Sequence, residues 1–276
     1  MIVFFENLRI GYYPNIQQLK IQNSLHRFFN RTCAEIKTEG SYNDFKLIDF
    51  CVVCYMFSEF YFERSLEDFK LSTRFETGVN VDCGGYKPME IMQRYNSYQA
   101  GTSIVDFQTI EPYGSRIEKP TTRKVFLSDY QLKSYDKAVE SKLSGRNLLR
   151  YEIVYGQIRK IRSVLGTQEI NLGTLCKWEN WKLLGDYLVE TYSRIKKLPL
   201  ITSSKLTIEE INMIHAVSNK HLRKDLSTNL SRHYYSKYLN ECKTVYNRIS
   251  VLEDNYHEVM HKKIADKVKL LYTNGN

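Results

Sequence analysis

The stretch Asn147-Leu-Leu-Arg-Tyr-Glu-Ile-Val-Tyr155 decides the kind of fold that this chain adopts. Its odd-numbered residues from 149 to 155 are all apolar or aromatic, whereas the even-numbered positions carry Arg150 and Glu152. Alternation with a period of two is typical of a strand that buries one face and leaves the other polar. The stretch therefore predicts an antiparallel sheet with one apolar and one polar face.

Two further segments show the same alternation. In Arg74–Val81 the charged residues Arg74 and Glu76 share one face, and in Val125–Lys137 the residues Lys133, Tyr135 and Lys137 share one face. Both segments are interpreted as strands. If the three strands are neighbours, their polar sides form a single platform with two carboxylates, a phenol and several cations.

The rest of the chain predicts helices and a few shorter elements. Apolar residues recur at helical spacing from Thr174 onward, and Thr207-Ile-Glu-Glu210 and Ser250-Val-Leu-Glu253 each read as a capping box that starts a helix. Asn23–Asn30 is interpreted as a strand because it is rich in aromatic residues, and Met89–Tyr98 as a short helix after Pro88. The predicted fold is α+β, with an antiparallel sheet flanked by helices and a helical C-terminal module.

The change of pattern also predicts the domain organisation. Residues 1–198 are expected to form one domain around the sheet, and residues 199–276 a small helical module. Two interpretations of that module stay open. It is either a helix-turn-helix unit that contacts duplex DNA or a helical cap that packs on the sheet.

Composition excludes several classes of protein. The chain has 276 residues, of which 42% are hydrophobic, so it buries a sizeable core and is not disordered. No run of about 18 apolar residues free of charge occurs, which excludes a membrane span. The first residues lack the basic start of a secretory signal, and the six cysteines are scattered rather than spaced as a disulfide framework, so a reducing cytoplasm is expected.

Charge is unevenly distributed along the chain. The formal net charge is +9, but residues 1–118 hold 12 basic and 15 acidic residues, residues 119–199 hold 16 and 8, and residues 200–276 hold 12 and 8. A polyanion would be drawn to the middle and C-terminal parts, which makes nucleic acid the natural partner. The alternative is that a basic surface serves only solubility.

The polar platform suggests phosphoryl chemistry. Neighbouring carboxylates bind hard cations such as Mg²⁺ or Mn²⁺, lysine and arginine stabilise charge that develops on phosphate oxygens, and a tyrosine can attack phosphorus. The alternative is an ordinary solvated sheet face with cross-strand ion pairs.

The amino-acid sequence of the predicted strands resembles that of one family of proteins. The pair Lys133-Ser-Tyr-Asp-Lys-Ala-Val-Glu140 and Asn147-Leu-Leu-Arg-Tyr-Glu152 is similar to the "YDK…E" and "LR-aromatic-E" strands of rolling-circle replication initiators of phages and plasmids. The resemblance covers roughly residues 20–195 and is strongest to relatives of the filamentous-phage initiator and of the Rep-trans plasmid family, in versions common in Bacteroidetes. Supporting motifs in the same order are Ser24-Leu-His-Arg-Phe-Phe-Asn30, Tyr42-Asn-Asp-Phe45, Phe75-Glu-Thr-Gly-Val-Asn80, Leu172-Gly-Thr-Leu175 and Leu183-Leu-Gly-Asp-Tyr-Leu188.

The resemblance implies a site-specific enzyme that nicks and rejoins DNA through a phosphotyrosine intermediate. Tyr135 would be the nucleophile, with Lys137 and Lys133 lowering its pKa or holding phosphate. The implied partners are single-stranded DNA, double-stranded origin DNA and a host helicase in the bacterial cytoplasm. The cofactor would be Mg²⁺ or Mn²⁺, held by Glu76 and Glu152 with a third carboxylate from Glu140 or Asp136. The remaining DNA-binding residues would be Lys133, Arg150, Arg74 and His26.

One departure from the family leaves alternatives open. Several initiators hold their metal with two histidines separated by one residue, and no two of the six histidines here are so spaced. A carboxylate site remains, and Tyr95, Tyr98 and Tyr130 rival Tyr135 as nucleophile. Other functions are a relaxase acting at a transfer origin, a non-catalytic DNA-binding protein and, more distantly, an RNA-binding protein.

Two other side-chain pairs resemble halves of metal sites. Cys51 and Cys54 have the spacing of half a zinc site, but no second pair accompanies them, so buried free thiols are expected. His257 and His261 lie four residues apart on a predicted helix, where a solvated face is the simpler interpretation.

Overall fold

The computed structural model describes residues 1–34, 41–71, 74–111, 121–198, 206–218, 220–252 and 256–273. Within these ranges the chain folds as α+β, with antiparallel sheets flanked by helices and a helical C-terminal region, which confirms the predicted class. The strands are β1 (Ile2–Phe5), β2 (Leu8–Tyr13), β3 (Gln18–Gln22), β4 (Phe75–Asp82), β5 (Tyr95–Ala100), β6 (Ser103–Asp106), β7 (Gln108–Ile110), β8 (Thr122–Phe126), β9 (Tyr130–Asp136), β10 (Leu148–Tyr155) and β11 (Ile195–Lys197).

Helices connect and cover these strands. They are α1 (Leu25–Thr32), α2 (Leu47–Tyr55), α3 (Pro88–Gln93), α4 (Lys137–Glu140), α5 (Ile158–Leu165), α6 (Leu172–Leu175), α7 (Trp178–Ser193), α8 (Ile208–Ser218), α9 (Lys220–Asn229), α10 (Arg232–Leu252) and α11 (Tyr256–Val268). Helix α2 continues into a π-helical turn, Met56–Phe62, and α11 into another, Lys269–Thr273.

The central sheet contains the strands that the alternating pattern predicts. Its order is β4-β10-β9-β8-β7, and each neighbouring pair is antiparallel. In this register Arg150 lies opposite Tyr135, and Glu152 lies opposite both Lys133 and Gly78. Because cross-strand partners point to the same side of a sheet, the charged residues of three strands share one face.

The opposite face of the central sheet carries the main hydrophobic core. Leu149, Tyr151 and Ile153 of β10 are fully buried there, together with side chains of α7 and α11, which both contact β4. Gly185 of α7 permits a close approach at this layer, since a Cβ atom on it would lie 2.8 Å from Cγ1 of Val268. The apolar half of the alternating pattern therefore supplies the core.

Two smaller sheets flank the central one. The N-terminal sheet has the order β1-β2-β3 and packs through Leu8 on α1 and α2, in a second core cluster with Phe28, Val53 and Phe57. The third sheet has the order β11-β5-β6.

The C-terminal helices divide between two environments. Ile264 and Val268 of α11 belong to the same core cluster as Leu184 of α7, whereas α8, α9 and α10 pack mainly on one another. Tyr246 of α10 donates to the carbonyl of Lys197 at 2.9 Å. The predicted boundary between residues 198 and 199 therefore does not separate two cores, because the last helix, α11, packs into the main core formed by residues before the boundary.

Three predicted elements are wrong in whole or in part. The strand predicted over Val125–Lys137 is two strands, β8 and β9, and Lys137 begins helix α4. Asn23–Asn30 is mostly helix α1, in which Ser24 caps the start by accepting a hydrogen bond from the Arg27 amide at 3.2 Å. Its aromatic residues fit a helix because burial of Phe28 against the N-terminal sheet outweighs their preference for strands. The helix predicted over Met89–Tyr98 ends at Gln93, and the remainder enters strand β5, which pairs with β11.

The capping boxes have different outcomes. The amide of Thr207 donates to Glu210 Oε2 at 3.0 Å, and the amide of Glu210 donates to Thr207 Oγ1 at 3.2 Å, which confirms the first box. Ser250 lies inside α10 rather than before a new helix, and Glu253 is outside the described residues. None of the helices in the described ranges is long and apolar enough to cross a membrane.

Candidate active site on the central sheet

The polar face of the central sheet brings most of the predicted site residues together. We use that name for the side defined by Glu76, Lys124, Lys133, Tyr135, Arg150 and Glu152, which the strand register places on one surface. Gly78 makes the close pairing of β4 with β10 possible. A Cβ atom at this glycine would lie 2.6 Å from Cβ of Glu152 and 2.7 Å from the carbonyl oxygen of Tyr151.

Glu152 is the buried centre of the polar face. Its side chain is 1% exposed, with Lys133 Nζ at 2.5 Å from one carboxylate oxygen and Arg150 Nε at 2.5 Å from the other. Burial would raise the pKa of Glu152, but the charges of Arg150 and Lys133 outweigh it and hold that pKa below its usual value. Glu152 is therefore an ionised carboxylate with both oxygens bound to cations.

Tyr135 lies beside this cluster. It is 8% exposed, and Lys133 Nζ and Lys137 Nζ lie 4.5 Å and 6.0 Å from its ring centre. Of the two roles expected for these lysines, lowering the pKa of Tyr135 or holding phosphate, the first is not met, since that pKa is raised. Burial and then the charge of Glu152 raise the pKa of Tyr135 well above its usual value, and the opposing charge of Arg150 does not compensate.

Lys137 is the first residue of α4 and is 2% exposed. Its Nζ lies 2.5 Å from Glu140 Oε2 and donates to Ser41 Oγ at 3.2 Å. Burial lowers the pKa of Lys137, although Glu140 acts in the opposite direction. Burial would raise the pKa of Glu140, but the hydrogen bond and charge of Lys137 lower it overall. The two residues form a second ion pair at the end of the polar face.

The three predicted metal ligands do not converge. Glu76 pairs at the rim with Arg74, with Nη2 at 2.8 Å from Oε1, whereas Glu140 pairs with Lys137 and Glu152 with its two cations. The described residues contain no group of three His, Cys, Asp or Glu side chains that could hold a metal ion. As arranged, these carboxylates do not fit Mg²⁺ or Mn²⁺, because their oxygens already bind ammonium and guanidinium groups.

A short segment, Ser41–Phe45, lies over one end of the polar face. Asn80 of β4 donates to the carbonyls of Ser41 at 3.3 Å and of Tyr42 at 3.1 Å. The sequence predicts no role at the site for Ser41 or for Asn80, although Asn80 ends the motif that begins at Phe75 and follows the alternation of β4. No local sequence pattern could identify Ser41, because its contact with Lys137 exists only in the folded chain.

His26, predicted to contact DNA, holds the same segment from helix α1. Its Nε2 is 2.9 Å from Asn43 Oδ1, and its ring stacks on Phe45 with centres 4.8 Å apart. Burial first, and then the charge of Arg150, lower the pKa of His26 to about 4. His26 is therefore neutral at neutral pH and acts here as a packing residue beside the polar face.

The rival tyrosines lie elsewhere. Tyr95 and Tyr98 are on strand β5 instead of a helix, and both are 0% exposed. Tyr130 points to the opposite side of β9 from Tyr135, with its hydroxyl 3.2 Å from that of Tyr98. Burial raises the pKa of both Tyr98 and Tyr130. Among these four tyrosines, Tyr135 is the one that shares a face with the cations.

The two side-chain pairs that resemble halves of metal sites, Cys51 with Cys54 and His257 with His261, are not arranged as metal ligands. Cys54 is buried, whereas Cys51, expected to be buried as well, is only partly so, and Cys51 Sγ lies 3.6 Å from the carbonyl oxygen of Cys176. His257 Nε2 is 3.0 Å from the carbonyl oxygen of Leu198, whereas the ring of His261 stacks on Tyr192. The two histidines therefore have separate partners.

Lys124 is a member of the polar face that sequence reasoning missed. It lies on β8 directly opposite Lys133. Burial, and then the charges of Lys133 and Arg74, lower the pKa of Lys124. When the pairs at its two ends, Arg74 with Glu76 and Lys137 with Glu140, are included, this surface has five cations and three carboxylates, which leaves an excess of positive charge. The cations are Arg74, Lys124, Lys133, Lys137 and Arg150.

Comparison of the chain with models of protein families, with curated proteins and with solved structures finds no match.

Proposed function

We propose that this protein is a rolling-circle replication initiator that nicks and rejoins DNA at an origin. One observation carries the proposal. Tyr135 lies between Lys133 and Lys137 and opposite Arg150, on a sheet face with more cations than carboxylates. A tyrosine among phosphate-binding groups is the arrangement that transfer of a phosphodiester to a phenol requires.

The proposed reaction exchanges one phosphodiester for another. The phenolic oxygen of Tyr135 bonds to phosphorus as the bond from phosphorus to the 3′ oxygen breaks. The phenolic proton leaves to solvent, and the 3′ oxygen takes a proton from solvent. The products are a 5′-phosphotyrosyl link and a free 3′-OH. No nucleoside triphosphate has to be hydrolysed, because the new phosphodiester conserves the energy of the one that was broken. Lys133 and Arg150 would stabilise the charge on the phosphate oxygens.

DNA binding has to alter the polar face for this reaction to proceed. Tyr135 is 8% exposed, and Lys133 and Arg150 are both engaged by Glu152. A phosphate that enters beside Tyr135 would compete with Glu152 for these cations, and only such an exchange places them on the phosphate whose charge they have to stabilise. The nucleophile is thus proposed to become active only in the complex.

The test is covalent trapping. The purified protein is incubated with single-stranded DNA from its own replicon and Mn²⁺ or Mg²⁺, and any adduct is resolved on a denaturing gel and mapped to a peptide. We expect an adduct on the peptide that contains Tyr135, lost in Tyr135→Phe and retained in Tyr130→Phe, whose hydroxyl lies on the other side of the same strand. EDTA tests the predicted metal, and an adduct that EDTA leaves unchanged would remove it.

Other results would change the proposal in defined ways. An adduct on a different tyrosine would keep the activity and remove Tyr135 as nucleophile. Tight, salt-sensitive binding without any adduct would favour the second candidate, a non-catalytic DNA-binding protein. That candidate is favoured by one observation: Glu152 and its two cations form a closed ion-pair cluster at 1% exposure of the carboxylate, which suits a structural role.

A further inference from the structure

The N-terminal sheet presents a second face with its own chemistry. One side of this sheet packs inward through Leu8, Phe5 and Ile21, with the ring of Phe5 5.8 Å from that of Phe28. The residues of the other parity point away from this core. We call that side the outer face; its members are Ile2, Phe4, Arg9, Gly11, Tyr13, Gln18, Lys20 and Gln22.

Two aromatic rings are exposed on the outer face. Phe4 is 70% exposed and Tyr13 is 40% exposed. A Cβ atom on Gly11 would lie 3.2 Å from Cε2 of Tyr13, so the ring lies against the backbone of Gly11, where any other residue would crowd it. The glycine therefore lets a ring lie along the sheet with one of its faces open.

The charge on the outer face is positive. Arg9 lies between Phe4 and Gln22 in one cross-strand row, and Lys20 lies beside Gly11 in the next. The rows are about 6.7 Å apart along the strands. Arg9 donates to the neutral amide of Gln22 at 2.8 Å rather than to a carboxylate, and the face itself includes no Asp or Glu.

This local charge runs against the average of its region. Residues 1–118 carry more acidic than basic residues, but residues 1–34 hold four basic residues and a single acidic one, Glu6. Glu6 lies in the turn between β1 and β2, 3.7 Å from Arg31. Apart from Glu6, the acidic residues of the N-terminal region thus begin beyond this sheet.

We infer that the outer face binds single-stranded DNA. Bases stack on exposed aromatic rings, and cations between the rings hold the phosphates. Phe4 and Tyr13 would supply the stacking, and Arg9 and Lys20 the phosphate contacts. A duplex would hide the base faces that these rings need, so the inference is specific for a single strand. It goes beyond the proposed function, because binding here requires neither Tyr135 nor a nick.

The experiment measures binding of a fluorescein-labelled oligo(dT) of about 12 nucleotides by anisotropy, a length within the site sizes of such surfaces. The full chain carrying Tyr135→Phe is used, so that nicking plays no part. We expect Tyr13→Ala to weaken binding about tenfold, which one stacked base supplies. The matched control is Tyr12→Ala, since Tyr12 is the adjacent residue, is 42% exposed and points to the opposite face. It should change the affinity less than about twofold.

A second pair of variants tests the other ring. Phe4→Ala should also weaken binding about tenfold, whereas Phe60→Ala, which removes a 79% exposed ring from the π-helical turn, should leave it within about twofold. Unchanged thermal unfolding of each variant ensures that binding alone is compared. Ultraviolet cross-linking of a bromodeoxyuridine oligonucleotide should label a peptide within residues 1–22.

Defined results would overturn the inference. Equal effects of Tyr13→Ala and Tyr12→Ala, or no effect of either, would remove the outer face as a DNA site. Loss of self-association in Tyr13→Ala, measured by sedimentation without DNA, together with unchanged affinity, would make it an interface between copies. An oligo(U) bound more than tenfold tighter than oligo(dT) would replace DNA by RNA. Failure of the nicking proposal would appear instead as a missing adduct with this binding intact.

Discussion

The polar face of the central sheet and the outer face of the N-terminal sheet both combine tyrosine with basic residues, yet they differ in accessibility. Tyr135 is 8% exposed, whereas Tyr13 is 40% exposed. On the polar face Lys133 and Arg150 each lie 2.5 Å from the buried carboxylate of Glu152, whereas on the outer face Arg9 is bound to a neutral amide. The same residue types therefore carry different energetic roles.

The comparison teaches that charge composition alone does not identify a binding surface. A buried carboxylate such as Glu152 needs its cations for its own stability, so those cations are available to a ligand only in exchange. A half-buried cation bound to a neutral amide, as Arg9 is, gives up no ion pair with that amide when it meets phosphate, and it can release counterions there. Access and prior pairing separate the two faces.

The largest expected effect is on the ion-pair cluster of the polar face. Glu152→Gln should lower the free energy of unfolding by about 3–5 kcal/mol, because Lys133 and Arg150 would lose their buried counter-charge. Urea unfolding measures this change. The matched control is Glu76→Gln, whose pair with Arg74 is at the rim and should be worth less than about 1 kcal/mol. Equal losses in the two variants would contradict the distinction drawn between buried and exposed pairs.

Burial of His26 is expected to make the free energy of unfolding depend on pH. Its folded pKa is lowered to about 4 from 6.5, so the unfolded chain binds more protons between these values. The stability present above pH 6.5 is lost as the pH falls toward 4, by about 3 kcal/mol. Arg150 and Lys137 add to this effect, and Asp44 opposes it.

The pH effect is measured as a difference. The free energy of unfolding is followed from pH 7 to pH 4 in the wild-type protein and in His26→Gln, and the curve of the variant should be flatter. Parallel curves would show that His26 does not titrate as its burial requires.

Two glycines sharpen the comparison between the faces. Gly78→Ala should cost about 1–3 kcal/mol, because its Cβ would meet Cβ of Glu152 and a backbone carbonyl, neither of which moves freely. Gly11→Ala should cost less than about 1 kcal/mol, since its Cβ meets a 40% exposed ring that can swing away. Thermal unfolding compares the two variants. A larger loss of stability in Gly11→Ala than in Gly78→Ala would contradict the expectation that the ring of Tyr13 can move and the backbone at Gly78 cannot.

The smallest effect is expected at the outer face itself. Tyr13→Ala and Phe4→Ala should each change the free energy of unfolding by less than about 0.5 kcal/mol, because both rings are exposed. Chemical unfolding provides the measurement. A loss above about 2 kcal/mol in either variant would mean that the ring packs as core and is not free to stack on a base.

Part of the fold could be predicted from the sequence because the signal is local. The alternation in β4, β9 and β10 follows from the geometry of an extended chain with one buried side, so the sequence predicts the polar side of each strand. That Glu76, Tyr135 and Glu152 share one face depends also on the pairing of the strands, which the structure shows. The first capping box was predictable because its signal is local too, since Thr207 and Glu210 are three residues apart.

Other features could not be predicted, because they depend on contacts between distant segments. Asn23–Asn30 is rich in aromatic residues that favour strands, but burial of Phe28 under the N-terminal sheet makes it a helix. The sequence does not distinguish Tyr95 and Tyr98 from Tyr135 as nucleophiles, because their burial depends on the distant contacts of strand β5, such as its pairing with β11. The partners of Lys137 include Ser41, which lies 96 residues away in the chain.

The sequence by itself determined the α+β class, the polar side of the central strands and most of the charged residues on it, because side-chain direction in a strand depends only on residue parity. The tertiary structure decided which of those charges are paired and which rings are exposed. Burial of Glu152 with Lys133 and Arg150, and exposure of Tyr13 over Gly11, arise from how the strands pack and how closely their backbones approach. Dielectric environment and access are properties of the assembled chain, so they could be known only from the fold.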